Sequence, residues 1–114
     1  MLPRRLLPAT LLALVLAACG TTGGARDALF ATPGAPAGAA VVTFRVDDVS
    51  GPRLVVTDTH LVRLRQVPGV LAVRRGFGSN EVLVLVEPGS DAGAHLHEAF
   101  GPRAVLHVED VATR

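Results

Sequence analysis

Four pairs of adjacent glycine and proline residues divide the chain beyond residue 50 into short segments. The pairs are Gly51-Pro52, Pro68-Gly69, Pro88-Gly89 and Gly101-Pro102. Glycine permits the backbone conformations of tight turns and proline ends regular elements, so no helix or strand is expected to cross a pair. The chain beyond residue 40 is therefore expected to fold as one small domain of short helices and strands.

The first two segments predict a strand followed by a helix. Apolar and polar side chains alternate in residues 41–47, which is the pattern of a half-buried strand. Apolar side chains recur three residues apart in residues 57–67, as on one face of a helix, with Thr57 or Asp58 as its N-cap. The apolar positions of this helix are Leu61, Leu64 and Val67.

The remaining segments predict two strands, a short helix and a last strand. The strands are expected over residues 70–75 and 81–87, the helix over residues 91–100 and the last strand over residues 104–111. The order is β-α-β-β-α-β. With right-handed crossovers it predicts an α+β fold, a ferredoxin-like βαββαβ sandwich. In that fold a four-stranded antiparallel sheet, in the order 4-1-3-2, carries two helices on one face.

The first 20 residues have the pattern of an export signal. Arg4 and Arg5 precede an apolar run over residues 9–18, which is shorter than the roughly 20 residues needed to span a membrane. The run ends in Leu16-Ala17-Ala18-Cys19, which resembles the lipobox of bacterial lipoproteins. The resemblance implies removal of signal peptide 1–18 and acylation of Cys19, for example with palmitate. An ordinary signal peptide with a chance cysteine is the alternative.

This resemblance also implies a location. Gly20 stands where an aspartate would hold a lipoprotein at the inner membrane, so we expect a lipid-anchored protein of the cell envelope. Its membrane is the outer membrane or the outer leaflet of the cytoplasmic membrane. Residues 19–40 are rich in Gly, Ala and Pro and predict a lipidated cysteine followed by a flexible tether. Leu29 and Phe30 are expected to be loose linker side chains, with docking on the domain as the alternative.

Composition excludes several functions. One cysteine allows no internal disulfide and no multi-cysteine zinc site. Removing Arg4 and Arg5 with the signal peptide reduces the 11 basic residues to 9, against 10 acidic residues. A nearly neutral chain gives no electrostatic reason to expect nucleic acid as a partner.

Residues 64–73 carry a second resemblance. The segment Leu-Arg-Gln-Val-Pro-Gly-Val-Leu-Ala-Val resembles the turn between the first helix and second strand of heavy-metal-associated domains. The resemblance implies that residues 41–114 share the fold of that family. The two metal-binding thiolates of the family would fall at Arg53 and Val56, which cannot ligate a soft metal. No cofactor is therefore expected.

Histidines are the remaining candidate metal ligands: His60, His95, His97 and His107. His95 and His97 are two positions apart on the predicted helix, so they point in different directions. The Asp47-Asp48 pair could add an oxygen ligand. We expect surface or partly packed histidines, with weak metal binding or delivery through histidine and carboxylate ligands as the alternative function.

The same βαββαβ architecture also occurs in enzymes. Acylphosphatases use an arginine in the first loop, where Arg53 stands, and an asparagine to orient water. The asparagine position falls at Arg75, and the Gly-rich phosphate loop has no counterpart. We therefore expect no enzyme.

The third predicted strand suggests an interaction surface. It is apolar on both faces, so either Val82, Val84 and Val86 or Leu83 and Leu85 should line the sheet face without helices. Arg45, Arg74 and His107 are expected to flank this stripe. The alternative is that these residues merely satisfy strand propensity. We expect a non-enzymatic protein-interaction module that binds a protein partner or a second copy.

Overall fold

The computed structural model describes residues 21–113, which form one antiparallel sheet with helices on both faces. The helices are α1 (Thr21–Phe30), α2 (Asp58–Arg65) and α3 (Ala92–His95), and a 3₁₀ turn, Leu96–Ala99, follows α3 directly. The strands are β1 (Ala40–Asp48), β2 (Val70–Arg75), β3 (Glu81–Val86) and β4 (Ala104–Thr113). None of the helices in this part of the chain is long and apolar enough to cross a membrane.

The four strands lie in the order β2-β3-β1-β4, which is 4-1-3-2 when read from the β4 edge. All three neighbouring pairs are antiparallel. Phe44 pairs with Val108 and Thr43 pairs with Asp110, so Glu109 is an extra residue in β4 and forms a β-bulge. The predicted α+β class with a four-stranded antiparallel sheet is confirmed.

One sheet face, here called the helix side, carries the main core. Alternate residues of β1 and β3 point toward α2, α3 and the 3₁₀ turn, as the alternating pattern predicts. Phe44 meets Phe100 edge to face, with ring centroids 6.0 Å apart. The helical residues buried in this core include Leu61, Leu64, Ala92, Leu96 and Ala99.

The opposite face is covered by the N-terminal strap, residues 21–39, which consists of α1 and the loop that follows it. Leu29 is 4 % exposed and packs with Ala39 on Val41, Leu83 and Leu85. The prediction that this segment is a flexible tether is therefore wrong for residues 21–39. An apolar sheet face attracts a single well-placed leucine even when its neighbours are Gly- and Ala-rich.

Local sequence features explain where the two helices of the helix side begin and end. The predicted N-cap of α2 is confirmed at Thr57. Gly69 has a φ of +91°, and a Cβ there would lie 2.8 Å from Ser90 Cβ, so only glycine fits the turn into β2. The second predicted helix is shorter than expected, because Gly93 weakens it and the chain tightens into a 3₁₀ turn.

Candidate functional site

The predicted interaction stripe on β3 is buried by other parts of the described residues 21–113 and does not face solvent. Val82, Val84 and Val86 face the helix-side core, while Leu83 and Leu85 lie beneath the strap. The side chains of residues 82–85 have no exposed surface. The prediction of an open apolar stripe is wrong because α1 occupies the face that was expected to be free.

The strap covers only half of its sheet face, and the other half is polar. Arg45 and His107 lie opposite each other on β1 and β4 there, as the predicted flanking positions. Asp47 joins them, since its Oδ2 is 3.2 Å from His107 Nε2 and 3.9 Å from Arg45 Nε. Arg45 Nη1 also lies 3.9 Å from Glu109 Oε2. These four side chains form a row of basic and acidic groups in contact along the open half.

A polar cleft of about 440 Å³ opens beside this row of side chains. Asn80 is buried at its base and donates from Nδ2 to the carbonyl of Val46 at 3.0 Å and to Asp47 Oδ1 at 3.2 Å. The amide of Asn80 and the carboxylate of Asp47 are therefore engaged with the sheet itself. The other residues lining the cleft are Arg45, Gly51, Arg53, Phe77, Gly78, Glu81 and Glu109.

Arg53 and Val56, which stand at the thiolate positions of the heavy-metal-associated resemblance, lie in the loop that enters α2. Their surroundings differ. Arg53 is exposed and lines the polar cleft, whereas Val56 is buried in the helix-side core. Backbone bonds from Asp48 N to Pro52 O and from Leu54 N to Val46 O hold this loop against the end of β1.

His60 is part of the cap of α2. Its Nδ1 accepts a hydrogen bond from the backbone N–H of Thr57 at 3.0 Å, and its ring lies 5.0 Å from that of Phe100. Burial, together with the charge of Arg63, lowers the pKa of His60. A neutral ring suits this position because its Nδ1 lone pair is used by the cap.

The other helical histidines are not gathered into a site. His95 lies between Glu98 and Asp91, and hydrogen bonds to these two carboxylates raise its pKa. His97 is exposed beside α3, and His107 is on the opposite side of the sheet. Within residues 21–113 no group of three or more metal-ligating side chains comes together.

A surface that the sequence did not indicate lies along β4. The helices do not extend over this edge strand, so Val108 is 61 % exposed and Val111 is 59 % exposed although both point to the helix side. With Leu96, His97 and Leu106 they line the β4 groove, an apolar depression of about 430 Å³. Among the described residues, no strand pairs with the outer edge of β4.

The alternating pattern of residues 104–111 places Leu106 and Val108 on an apolar face, but it does not show how far the helix layer extends. Exposure of an edge strand depends on helix length and position, which are tertiary properties. Cys19 and the predicted signal peptide 1–18 lie outside the described residues. Comparisons with protein-family models, with curated proteins and with solved structures find no match to this chain.

Proposed function

We propose that this chain is a lipid-anchored protein of the bacterial cell envelope whose domain is a non-enzymatic protein-interaction module. The lipobox-like Leu16-Ala17-Ala18-Cys19 segment supports the anchor. The β-α-β-β-α-β order and the strand order β2-β3-β1-β4 support a ferredoxin-like domain similar to heavy-metal-associated domains. Two acyl chains on Cys19 suffice for stable membrane attachment.

The observation that carries the interaction role is the open β4 edge beside an apolar groove. The apolar side chains of the central strands β1 and β3 are buried on both faces in residues 21–113, whereas β4 presents exposed apolar side chains beside free backbone groups. An extended peptide that adds to a sheet edge gains backbone hydrogen bonds, and pockets beside the edge select its side chains. The β4 groove supplies such a pocket.

The proposal includes no catalytic role for the polar cleft. Asn80 donates hydrogen bonds to Asp47 and to the backbone, and His107 Nε2 lies 3.2 Å from Asp47 Oδ2, an arrangement that holds the ends of β1 and β4 in place. Arg75, at the position of the water-orienting asparagine of acylphosphatases, instead binds the Val56 carbonyl and Asp58. These contacts support structural rather than catalytic functions.

The anchor is tested by feeding cells an alkyne-labelled palmitate and isolating the full-length gene product. We expect label on the wild-type protein and none on a Cys19→Ser variant, which cannot form the thioether. Thr21→Ser is the matched control, because it makes a similarly small change two residues away and should keep the label. An unlabelled wild-type protein that is still exported would contradict the anchor.

The interaction surface is tested in intact envelopes with a photo-crosslinking residue at Val108. Val62, 48 % exposed on α2, is the control position because it is also an exposed valine but lies away from β4. We expect a protein adduct from position 108 that disappears in the Val111→Asp background, and none from position 62. Equal adducts at both positions would contradict a role for the β4 edge.

A further inference from the structure

We propose that β4 pairs with β4 of a second copy, antiparallel, about a two-fold axis at Val108, with Glu109 of each strand left unpaired as the bulge residue. This inference rests on the proposed function and names the partner of the β4 edge. In this register Leu106 lies opposite Val111 of the second copy, and His107 lies opposite Asp110 of the second copy. The two sheets then join into one continuous eight-stranded sheet.

The β-bulge makes this register possible. Opposite residues in an antiparallel pair must point to the same sheet face. Leu106, Val108 and Val111 point to the helix side, because they pair with Val46, Phe44 and Val42 of β1. Without the extra Glu109, positions 106 and 111 would point to opposite faces and could not be paired.

Polar side chains on the strap side match in the same register. His107 contacts Asp47 and Asp110 contacts Arg26, which places both residues on the strap side. The two-fold axis brings each histidine opposite a carboxylate, a favourable cross-strand pair. A shift of the axis to lie between Glu109 and Asp110 would place these two acids opposite each other in both halves, which is unfavourable.

Apolar side chains on the helix side meet at the same axis. Val108 lies on the axis, so the two copies of this exposed valine face each other, and each Val111 faces a Leu106. These side chains form the β4 side of the groove, which the second copy would extend. A bulge usually discourages edge pairing by twisting the strand. Here both strands carry it at the axis, so the distortion is shared and the residue count matches.

The register is tested by cysteine crosslinking of the full-length lipidated protein in membranes. In the Leu106→Cys/Val111→Cys variant the paired cysteines are about 5 Å apart at Cα, within disulfide range. In the Leu106→Cys single variant the two cysteines are five residues apart along the paired strands, about 17 Å, and cannot bond. We expect a covalent dimer from the double variant and none from the single one.

A second measurement follows the oligomeric state in detergent by analytical ultracentrifugation. We expect a wild-type dimer and a Val108→Asp variant that dissociates roughly tenfold or more readily, because two carboxylates would meet at the axis. Val62→Asp is the control and should remain dimeric. Circular dichroism of the variants checks that each one is folded.

Two outcomes overturn the inference. A wild-type protein that is monomeric at all concentrations excludes the second copy, and a dimer in which the Leu106→Cys single variant crosslinks excludes this register. Neither outcome decides the proposed function. A photo-adduct of Val108 with a different protein would retain the β4 edge as an interaction surface, whereas loss of every adduct would end both proposals.

Discussion

The two faces of the sheet are covered in different ways. On the helix side, α2, α3, the 3₁₀ turn and their loops bury many apolar side chains against the strands. On the strap side, Leu29 and Ala39 are the fully buried contributions of the strap. Stability within a protein varies with the density of buried contacts. We therefore expect the helix side to hold the fold together and the strap to detach locally.

The sequence of α1 strengthens this contrast. Its ten residues, Thr-Thr-Gly-Gly-Ala-Arg-Asp-Ala-Leu-Phe, include two glycines and two threonines, all poor helix formers. A helix of this length is marginal in water on its own. Docking of Leu29, with the 3.3 Å ion pair between Arg26 and Asp110, is what favours the helical state. The helix α1 of the strap is therefore stabilised by its contact with the sheet.

The largest effect is expected on the helix side. Leu64 is fully buried, and Leu64→Ala should reduce the free energy of unfolding by about 3 kcal/mol because it leaves a cavity in the main core. Chemical denaturation followed by circular dichroism measures the loss. Val62→Ala is the matched control on the exposed side of the same helix and should change the free energy little. A loss below that of Leu29→Ala would contradict the contrast.

A smaller and local effect is expected on the strap side. Leu29→Ala removes buried methyl and methylene groups worth about 2 kcal/mol of docking, so the strap should open while the sheet stays folded. Trypsin cleavage at Arg26 and hydrogen exchange of residues 24–39 should both accelerate. Leu71→Ala, at a half-exposed leucine of β2, is the control. A global unfolding transition shifted as far as that of Leu64→Ala would show that both faces form one cooperative unit.

Local patterns were sufficient to predict the helix side. Alternation in β1, the three-residue spacing of Leu61 and Leu64, and the Gly-Pro pairs each act within a few residues, so their effects can be recognised in the sequence. The strand boundaries agree within a few residues with the structure. Gly69 illustrates why, because its positive φ is required by the turn that Pro68-Gly69 predicts.

The strap and the β4 groove depend on long-range packing and could not be predicted in the same way. Leu29 and Phe30 are the only large apolar residues in a Gly-, Ala- and Pro-rich segment, and nothing beside them shows that Leu29 reaches Leu85, which is far along the chain. Val108 has the pattern of a buried position but lies beyond the reach of the helices. The Asp47 contacts were missed because Asn80, from another hairpin, completes them.

A third prediction sharpens the contrast by improving the strap side. The Oγ1 atom of Thr43 is buried under the strap and has no hydrogen-bond partner among the described residues. Such a group costs about 1 kcal/mol or more, so Thr43→Val should raise the free energy of unfolding by about 1 kcal/mol. Thr113→Val makes the same change at an exposed strand position and should be close to neutral. Destabilisation by Thr43→Val would show that its hydroxyl is satisfied.

The smallest effect concerns a contact that is far from the strap. Asp48 accepts hydrogen bonds from the backbone N–H and the hydroxyl of Ser50 and from Arg103, and these bonds lower its pKa from 3.8 to about 2. A carboxylate with a lower pKa in the folded state stabilises that state above pH 4, and the contribution is lost as the pH falls toward 2. The wild-type protein should therefore lose stability more steeply over this range than Asp48→Asn.

Urea denaturation at pH values from 5 to 2 measures this slope, and Ser50→Ala, which removes one donor, should give an intermediate value. The slope also tests whether the two faces are independent. Asp48 links β1 to the turn before β4 and makes no contact with the strap, so the difference between Asp48→Asn and the wild-type residue should be the same in the Leu29→Ala background. The stability effects of distant, independent sites add. A different slope in that background would therefore mean that opening the strap changes the contacts of Asp48 at the far end of β1.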